Sequence, residues 1–325
     1  MRKGLVIGKF LPPHAGHHFL IDTARAAVDR LTVAVCERPG EPIAAELRAR
    51  WLREPHPDVE VIIVDAAVPG DDLNGWATAM KAALGGSPDA VFTSESGGEA
   101  CARALGCAHY RIDAARETFP ISSSQIRADP LAALDWVAPN VRAYLVRRVC
   151  IVGPESTGKT VLCEHLAERL GAPWVGEYGR DYTLLKLRTS SADVWRPDEF
   201  VHIAREQQRR EDEAARRSGG LVICDTDAFA TEIWLERYLG PQPVSGWPAR
   251  DRAMDLYLLT DPDVPFVPDA IRDGEHLREW MFARFADELT RRGLPFAILA
   301  GDYAERERRA VERIEELLRA RDVVA

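Results

Sequence analysis

The chain has 325 residues, enough for two domains that each bury a core of their own. Hydrophobic residues at 46% and charged ones at 29% fit a packed globular protein; no apolar run approaches the roughly 18 residues of a membrane span, so no membrane insertion is expected. The formal net charge of −9 argues against a general nucleic-acid footprint, so no nucleic-acid partner is expected, while local phosphate sites remain open to it.

Met1-Arg2-Lys3 runs straight into a short strand pattern and then Gly8, which is too short for a secretory signal and points to a cytoplasmic protein. The cysteines at 36, 101, 107, 150, 163 and 224 form no C-x-x-C pair and sit in apolar surroundings. They read as buried reduced thiols, not as a metal site.

Leu5-Val6-Ile7 reads as a buried strand, and Phe19, Leu20, Ala24, Ala27 and Val28 then recur at helical spacing. The alternation continues with strands at 31–36, 59–65, 90–94 and 108–113 and helices at 43–53, 73–84 and 98–105. That order predicts a parallel sheet covered on both faces, with ligands at the carboxyl ends of its strands. His14 and His17 fall at such an end, where imidazoles can donate to phosphate oxygens and Gly16 lets the backbone approach. His18 carries no motif role and reads as surface or packing. Further on, Ile121-Ser122-Ser123-Ser124-Gln125-Ile126-Arg127 offers hydroxyls at a helix start and an arginine one turn in, an anion site suited to a triphosphate tail.

Trp136 to Leu145 reads as a turn and a short helix leading directly into Val149-Cys150-Ile151-Val152. With no Gly/Ser linker, the expected domains are 1–146 and 147–325, held close. The second strand pattern feeds Gly153-Pro154-Glu155-Ser156-Thr157-Gly158-Lys159-Thr160 and then a helix, in the order a P-loop needs. Gly153 and Gly158 would let successive N–H groups of residues 155–160, Glu155, Ser156 and Thr157 among them, face one anion. Lys159 would reach the β- and γ-phosphates of ATP, and the Thr160 hydroxyl would ligate Mg²⁺.

A strand at 173–176 ends in Glu177-Tyr178-Gly179-Arg180-Asp181-Tyr182, a charged and aromatic cluster at the sheet's active edge. The amphipathic helix 198–217 has a solvated Arg/Glu face, and Leu221-Val222-Ile223-Cys224 delivers Asp225-Thr226-Asp227 at its tip. Asp225 stands where a Walker B carboxylate would hold Mg²⁺, although an acidic residue there can also cap a helix. Strands at 255–259 and 296–299 complete a five-stranded core, and helix 304–321 closes the chain. The polar, proline-rich stretch Asp261 to Gly274 reads either as a lid that places Arg272 over the transferring phosphate or as an ordinary surface loop.

Gly8-Lys9-Phe10 with His14-Ala15-Gly16-His17, taken with Ile121 to Arg127, resembles the nucleotidyltransferase superfamily that includes the nicotinamide-mononucleotide adenylyltransferases. The resemblance implies that His14 and His17 stabilise charge on the ATP α-phosphate while a mononucleotide phosphate attacks it, with no covalent intermediate. It also implies that Ser123, Ser124 and Arg127 hold the β- and γ-phosphates; a threonine commonly stands in the family at the position of Ser124. Adding Gly153 to Thr160, Glu177 to Tyr182, Asp225 to Asp227 and Pro265 to Arg272, the whole chain resembles the bifunctional NadR family. That family joins nicotinamide-nucleotide adenylyltransferase and ribosylnicotinamide kinase domains. Phe266 and Ala270 depart from the Trp and Gly usual in its lid motif. Some members carry an N-terminal helix-turn-helix domain and repress transcription; here the chain opens on the first adenylyltransferase strand, so a repressor role is not expected.

The resemblance implies a two-step route. The second domain would phosphorylate ribosylnicotinamide with ATP, and the first would adenylylate the nicotinamide mononucleotide to NAD and pyrophosphate. Glu177 and Asp225 are the candidates for receiving the acceptor proton, with Asp181 and Asp227 in reserve; Tyr178, Arg180, Asp181 and Asp227 are expected at the substrate. Two rivals stand beside it: an adenylyltransferase and nucleoside kinase fusion for another nucleotide, and an NAD- or ATP-sensing regulator of a nicotinamide riboside transporter. Nothing in the sequence speaks against a homo-oligomer.

Overall fold

The computed structural model describes residues 2–65, 73–95, 97–188, 194–249, 253–268 and 274–320. Backbone contacts divide the chain into two compact units, one reaching to Val141 and the other starting at Arg142.

The first unit alternates strand and helix: β1 (Lys3–Gly8), α1 (Ala15–Ala27), β2 (Arg30–Glu37), α2 (Ala45–Arg53), β3 (Glu60–Asp65), α3 (Leu73–Ala83), β4 (Ala90–Thr93), α4 (Gly98–Leu105), β5 (Ala108–Arg111) and α5 (Ser123–Ala128). Its five strands are all parallel in the order β3-β2-β1-β4-β5. Successive side chains of a strand point to opposite faces, and the sequence uses both. Val6, Val33 and Val35 pack with Leu20, Ile21, Ala49 and Leu52 from α1 and α2. Leu5 and Ala34 pack on the other face with Trp76, Met80 and Leu105 from α3 and α4. Burying a chain such as Leu5, fully enclosed here, stabilises by roughly 1.5–3 kcal/mol, which is why an uninterrupted apolar run makes a central strand. The strand order reverses at β1, so a crevice opens beyond its carboxyl end.

After α6 (Pro139–Leu145), the second unit contains β6 (Arg147–Val152), α7 (Lys159–Leu170), β7 (Trp174–Val175), α8 (Tyr178–Lys186), α9 (Pro197–Arg217), β8 (Leu221–Asp225), α10 (Ala228–Leu239), β9 (Leu256–Thr260), α11 (Arg278–Arg291), β10 (Phe296–Leu299) and α12 (Tyr303–Arg319). This sheet is also parallel and five-stranded, in the order β10-β9-β6-β8-β7. Val149, Ile151, Ile223 and Leu258 meet Leu162 and Leu166 of α7 and Ile314 of α12 on one face. The α/β class with two parallel sheets is therefore the one the alternation predicts. Two elements depart from the expectation: Tyr178 to Lys186 forms a helix where a polar strand tip was expected, and α11 was not foreseen. Among the described residues, no helix is long and apolar enough to cross a membrane.

Candidate active sites

In the first unit, the loop between β1 and α1 is held from below by α2. Arg48 is fully buried, and its Nη1 donates to the carbonyls of Lys9 (2.5 Å) and Cys36 (3.0 Å). Its Nη2 bonds Glu41 at 2.7 Å, so the enclosed charge is paired, as burial requires. From the other side, Arg127 Nη1 donates to the Leu11 carbonyl (2.6 Å) and Ser123 Oγ to the Pro12 carbonyl (2.9 Å). Both side chains line the cavity as expected, but in this structure their hydrogen bonds brace the loop. Ser122 caps α5.

The His14 and His17 rings lie 3.8 Å apart at 31°, and Phe10 meets His17 edge-on at 4.9 Å. The His14 backbone N–H donates to His17 Nδ1 (3.3 Å), so the neutral His17 ring carries its proton on Nε2. His14 Nδ1 is buried with no hydrogen-bond partner among the described residues. Both rings line a cavity of about 530 Å³ together with Gly8, Lys9, Gly16, Ser124 and the previously unflagged Arg116. A Cβ on Gly16 would lie 3.2 Å from the His14 ring, so the glycine makes room for that ring.

Burial, followed by the Arg116 charge, lowers His14 to about 4, and burial with His14 beside it holds His17 well below its ordinary value. His18, expected as surface or packing, packs inward: its Nδ1 lies 2.9 Å from His56 Nε2. Burial lowers His18 to about 4 and His56 in the same direction. All four folded values lie below the ordinary 6.5, so the neutral rings stabilise the fold above that pH. The stabilisation is lost as pH falls from about 6.5 towards 4. The thermal unfolding midpoint should therefore drop progressively over that window, and His56→Phe should flatten the drop. A midpoint independent of pH between 7 and 5 would contradict neutral burial.

In the second unit, β6 delivers the glycine loop. Gly153 has φ 143°, and a Cβ there would lie 2.3 Å from Thr260 Oγ1; Gly158 has φ 82° at the start of α7. Only glycine meets the first pair of demands. Lys159 Nζ donates to the Pro154 carbonyl at 2.8 Å, resting within its own loop. Thr157 Oγ1 bonds Pro154 and Thr260 behind the loop, which gives it a bracing task. Ser156 Oγ accepts from the Val267 N–H at 2.7 Å.

Register places Asp225 opposite Ile151, so β8 delivers its carboxylate beside the start of α7. Thr160 Oγ1 donates to Asp225 Oδ2 at 2.6 Å, while Asp225 Oδ1 is buried without a hydrogen-bond partner. Burial raises the Asp225 carboxyl, with Lys159 and Thr160 opposing. Burial, then the Asp225 charge, pushes Glu177 up to about 7. An orphaned oxygen beside a hydroxyl fits a hard cation such as Mg²⁺. Among the described residues no three His, Cys, Asp or Glu side chains gather as a metal site. A P-loop centre needs no such group, since phosphate and water fill the remaining positions.

Glu155, Lys159, Thr160, Glu177 and Arg180 line a cavity of about 140 Å³. Trp195, Phe200, Trp234 and Tyr238 line it too, and their rings contact one another as an aromatic wall. The Trp195 ring lies 5.3 Å from Tyr238 and 5.0 Å from Phe200. Phe200 reads from the sequence only as an inward residue of its helix, and Trp195, Trp234 and Tyr238 carry no expectation. Trp234 and Tyr238 do stand four apart on one helix face, the usable signal. Arg48 had a signal too, since it occupies the buried phase of α2 three and four residues before Trp51 and Leu52.

Three expectations are corrected. Asp227 is buried as the N-cap of α10, with Oδ1 accepting from Ala230 N–H and Oδ2 from Tyr257 Oη, so it does not reach the cavity. Asp181 pairs with Arg210 on the surface (3.0 Å). Tyr178 stacks under that same guanidinium and bonds His202, away from the lining. Glu155 was expected at the phosphates through its backbone N–H alone, and its carboxylate pairs with Arg237. Arg272 and Ala270 lie outside the described residues.

Residues 5–129 match the Cytidylyltransferase-like family and residues 148–306 the AAA domain family. Over 97% of this chain and 83% of theirs, it is 29% identical to the trifunctional NAD biosynthesis/regulator protein NadR of Escherichia coli K12 and 28% to that of Salmonella typhimurium LT2. Nearly the whole chain is thus similar to the bacterial NadR proteins. Two solved NadR structures share its fold at TM-scores of 0.76 and 0.73, with 23% and 22% identity, each covering 98% of this chain and 96% of its own. One holds NR and the other NAD with AMP-PNP.

Proposed function

We propose that this NadR-like protein makes NAD in two ATP-dependent steps. The second unit transfers the γ-phosphate of ATP to the 5′-hydroxyl of ribosylnicotinamide, giving the mononucleotide. The first unit joins the mononucleotide to the adenylyl group of a second ATP, releasing pyrophosphate. The observation that carries this reading is the 140 Å³ cavity lined both by the phosphate loop and by an aromatic wall. A pyridinium riboside is a flat cation on a sugar, which suits aromatic faces, and its hydroxyl would then lie towards the phosphates. The NAD biosynthesis named for the bacterial relatives supports the same assignment.

In the kinase step Thr160 and Asp225 would hold Mg²⁺, which supplies charge neutralisation on the β- and γ-oxygens. Glu177, pushed up to about 7, would receive the acceptor proton as the phosphoryl group moves, and Lys159 would turn from Pro154 to the phosphates. In the adenylyl step His17 donates from Nε2 to the α-phosphate beside His14, while Ser124 and Arg127 face the leaving pyrophosphate. The six cysteines, all free thiols, suit a reducing cytoplasm.

Product analysis tests the reading directly. With ATP, Mg²⁺ and ribosylnicotinamide, the purified protein is expected to yield ADP and nicotinamide mononucleotide first, then NAD and pyrophosphate. Nucleotide binding without either product would overturn it.

A further inference from the structure

A carboxylate in the middle of a loop built for a triphosphate works against its ligand, because like charges repel. Glu155 is nevertheless there, buried, and its Oε1 accepts from Arg237 Nη1 at 2.5 Å, with side-chain exposures of 8% and 4%. Arg237 in turn lies over two rings of the aromatic wall, 5.1 Å from Trp234 and 4.9 Å from Tyr238. The backbone is fitted to this pair. Gly274 N–H donates to Glu155 Oε2 at 2.9 Å, and a Cβ on Gly274 would lie 2.6 Å from Arg237 Nη2 and 3.0 Å from Glu155 Oε2. Its φ of −97° is open to any residue, so the demand for glycine is one of space.

The same wall repeats the arrangement at Trp195. Lys186 Nζ lies 4.5 Å over the Trp195 ring and pairs with the buried Glu199 at 2.6 Å. Each cation laid against the wall thus has a carboxylate beside it. A guanidinium on the same rings would otherwise compete with a cationic ligand and repel it.

We propose that Glu155 sets the charge selectivity of the acceptor pocket: its carboxylate offsets the Arg237 guanidinium behind the Trp234 and Tyr238 rings, keeping the wall receptive to a cationic ring. The proposal rests on the kinase reading for its substrate, and on the geometry of the pair for its cause. Glu155→Gln keeps the shape and an acceptor for Gly274, yet removes one unit of negative charge from the wall whatever else Arg237 touches.

The test compares two acceptors of one shape: ribosylnicotinamide, which is cationic, and benzamide riboside, its uncharged carbon isostere. In Glu155→Gln the ratio of kcat/KM for the cation to that for the neutral riboside is expected to fall at least about tenfold, the scale of one charge at close range. Glu155→Asp should restore part of it. Arg237→Gln, which removes the positive charge instead, should move the ratio the other way. Equal losses on both acceptors, an unchanged ratio, or the same direction of change in both variants would overturn the proposal. Should the wild-type protein phosphorylate neither riboside, the kinase reading falls by itself. Quenching of tryptophan fluorescence by 1-methylnicotinamide against benzamide then decides the charge effect, with the same ratio expected to shift.

Discussion

Lys159→Ala should lower phosphorylation of ribosylnicotinamide by about 10³-fold or more, the scale on which a cation on the transferring phosphoryl group acts. Lys159 starts α7, and its ammonium rests on the Pro154 carbonyl of the same loop. To reach the phosphates it exchanges one acceptor for another, a swap that needs little rearrangement and concentrates its charge stabilisation in the transition state. Adenylyl transfer from nicotinamide mononucleotide and ATP should persist at wild-type rate, because the residues lining that cavity all come from the first unit. The loss should fall mainly on kcat. Quenching of Trp195 and Trp234 by ribosylnicotinamide would show that the pocket is still folded. Retained phosphorylation would remove Lys159 from the chemistry, and loss of both activities would contradict separate sites.

Much of this architecture is legible in the chain because burial on both faces forces apolar strands, and the helices between them keep their stripes. Val33-Ala34-Val35 could not sit in any other element without exposing one face. The glycine loop and the two histidines were legible for a related reason, since phosphate binding confines backbone and donors to a short stretch. The aromatic wall was not. Trp195 precedes α9 while Trp234 and Tyr238 ride on α10, and only the tertiary fold brings the three rings together. Glu155 and Arg237 are 82 residues apart, so no local pattern could have paired them. Asp227 misled for the opposite reason. An acidic residue just past a strand serves a helix N-terminus as readily as a ligand, and here the α10 start and Tyr257 take both of its oxygens.

The converse substitution is His17→Ala, expected to cut adenylyl transfer about 10²- to 10³-fold while sparing the kinase, as the loss of one oriented transition-state donor does. The His14 N–H fixes the His17 tautomer, and the neighbouring His14 and Phe10 rings fix its plane, so the Nε2 proton is set before the nucleotide arrives. Burial keeps the ring neutral in the free protein, which leaves it a donor of one proton with no charge to desolvate. Triphosphate oxygens arriving beside it would draw its value upward, strengthening the hydrogen bond as negative charge gathers on the α-phosphate. The loss should therefore appear in kcat for NAD formation, with KM for the mononucleotide changed much less. His17→Gln, which keeps an N–H donor, should recover part of the rate. Full activity in His17→Ala would show that the donor lies elsewhere in the cavity, with Arg116 the next group to replace.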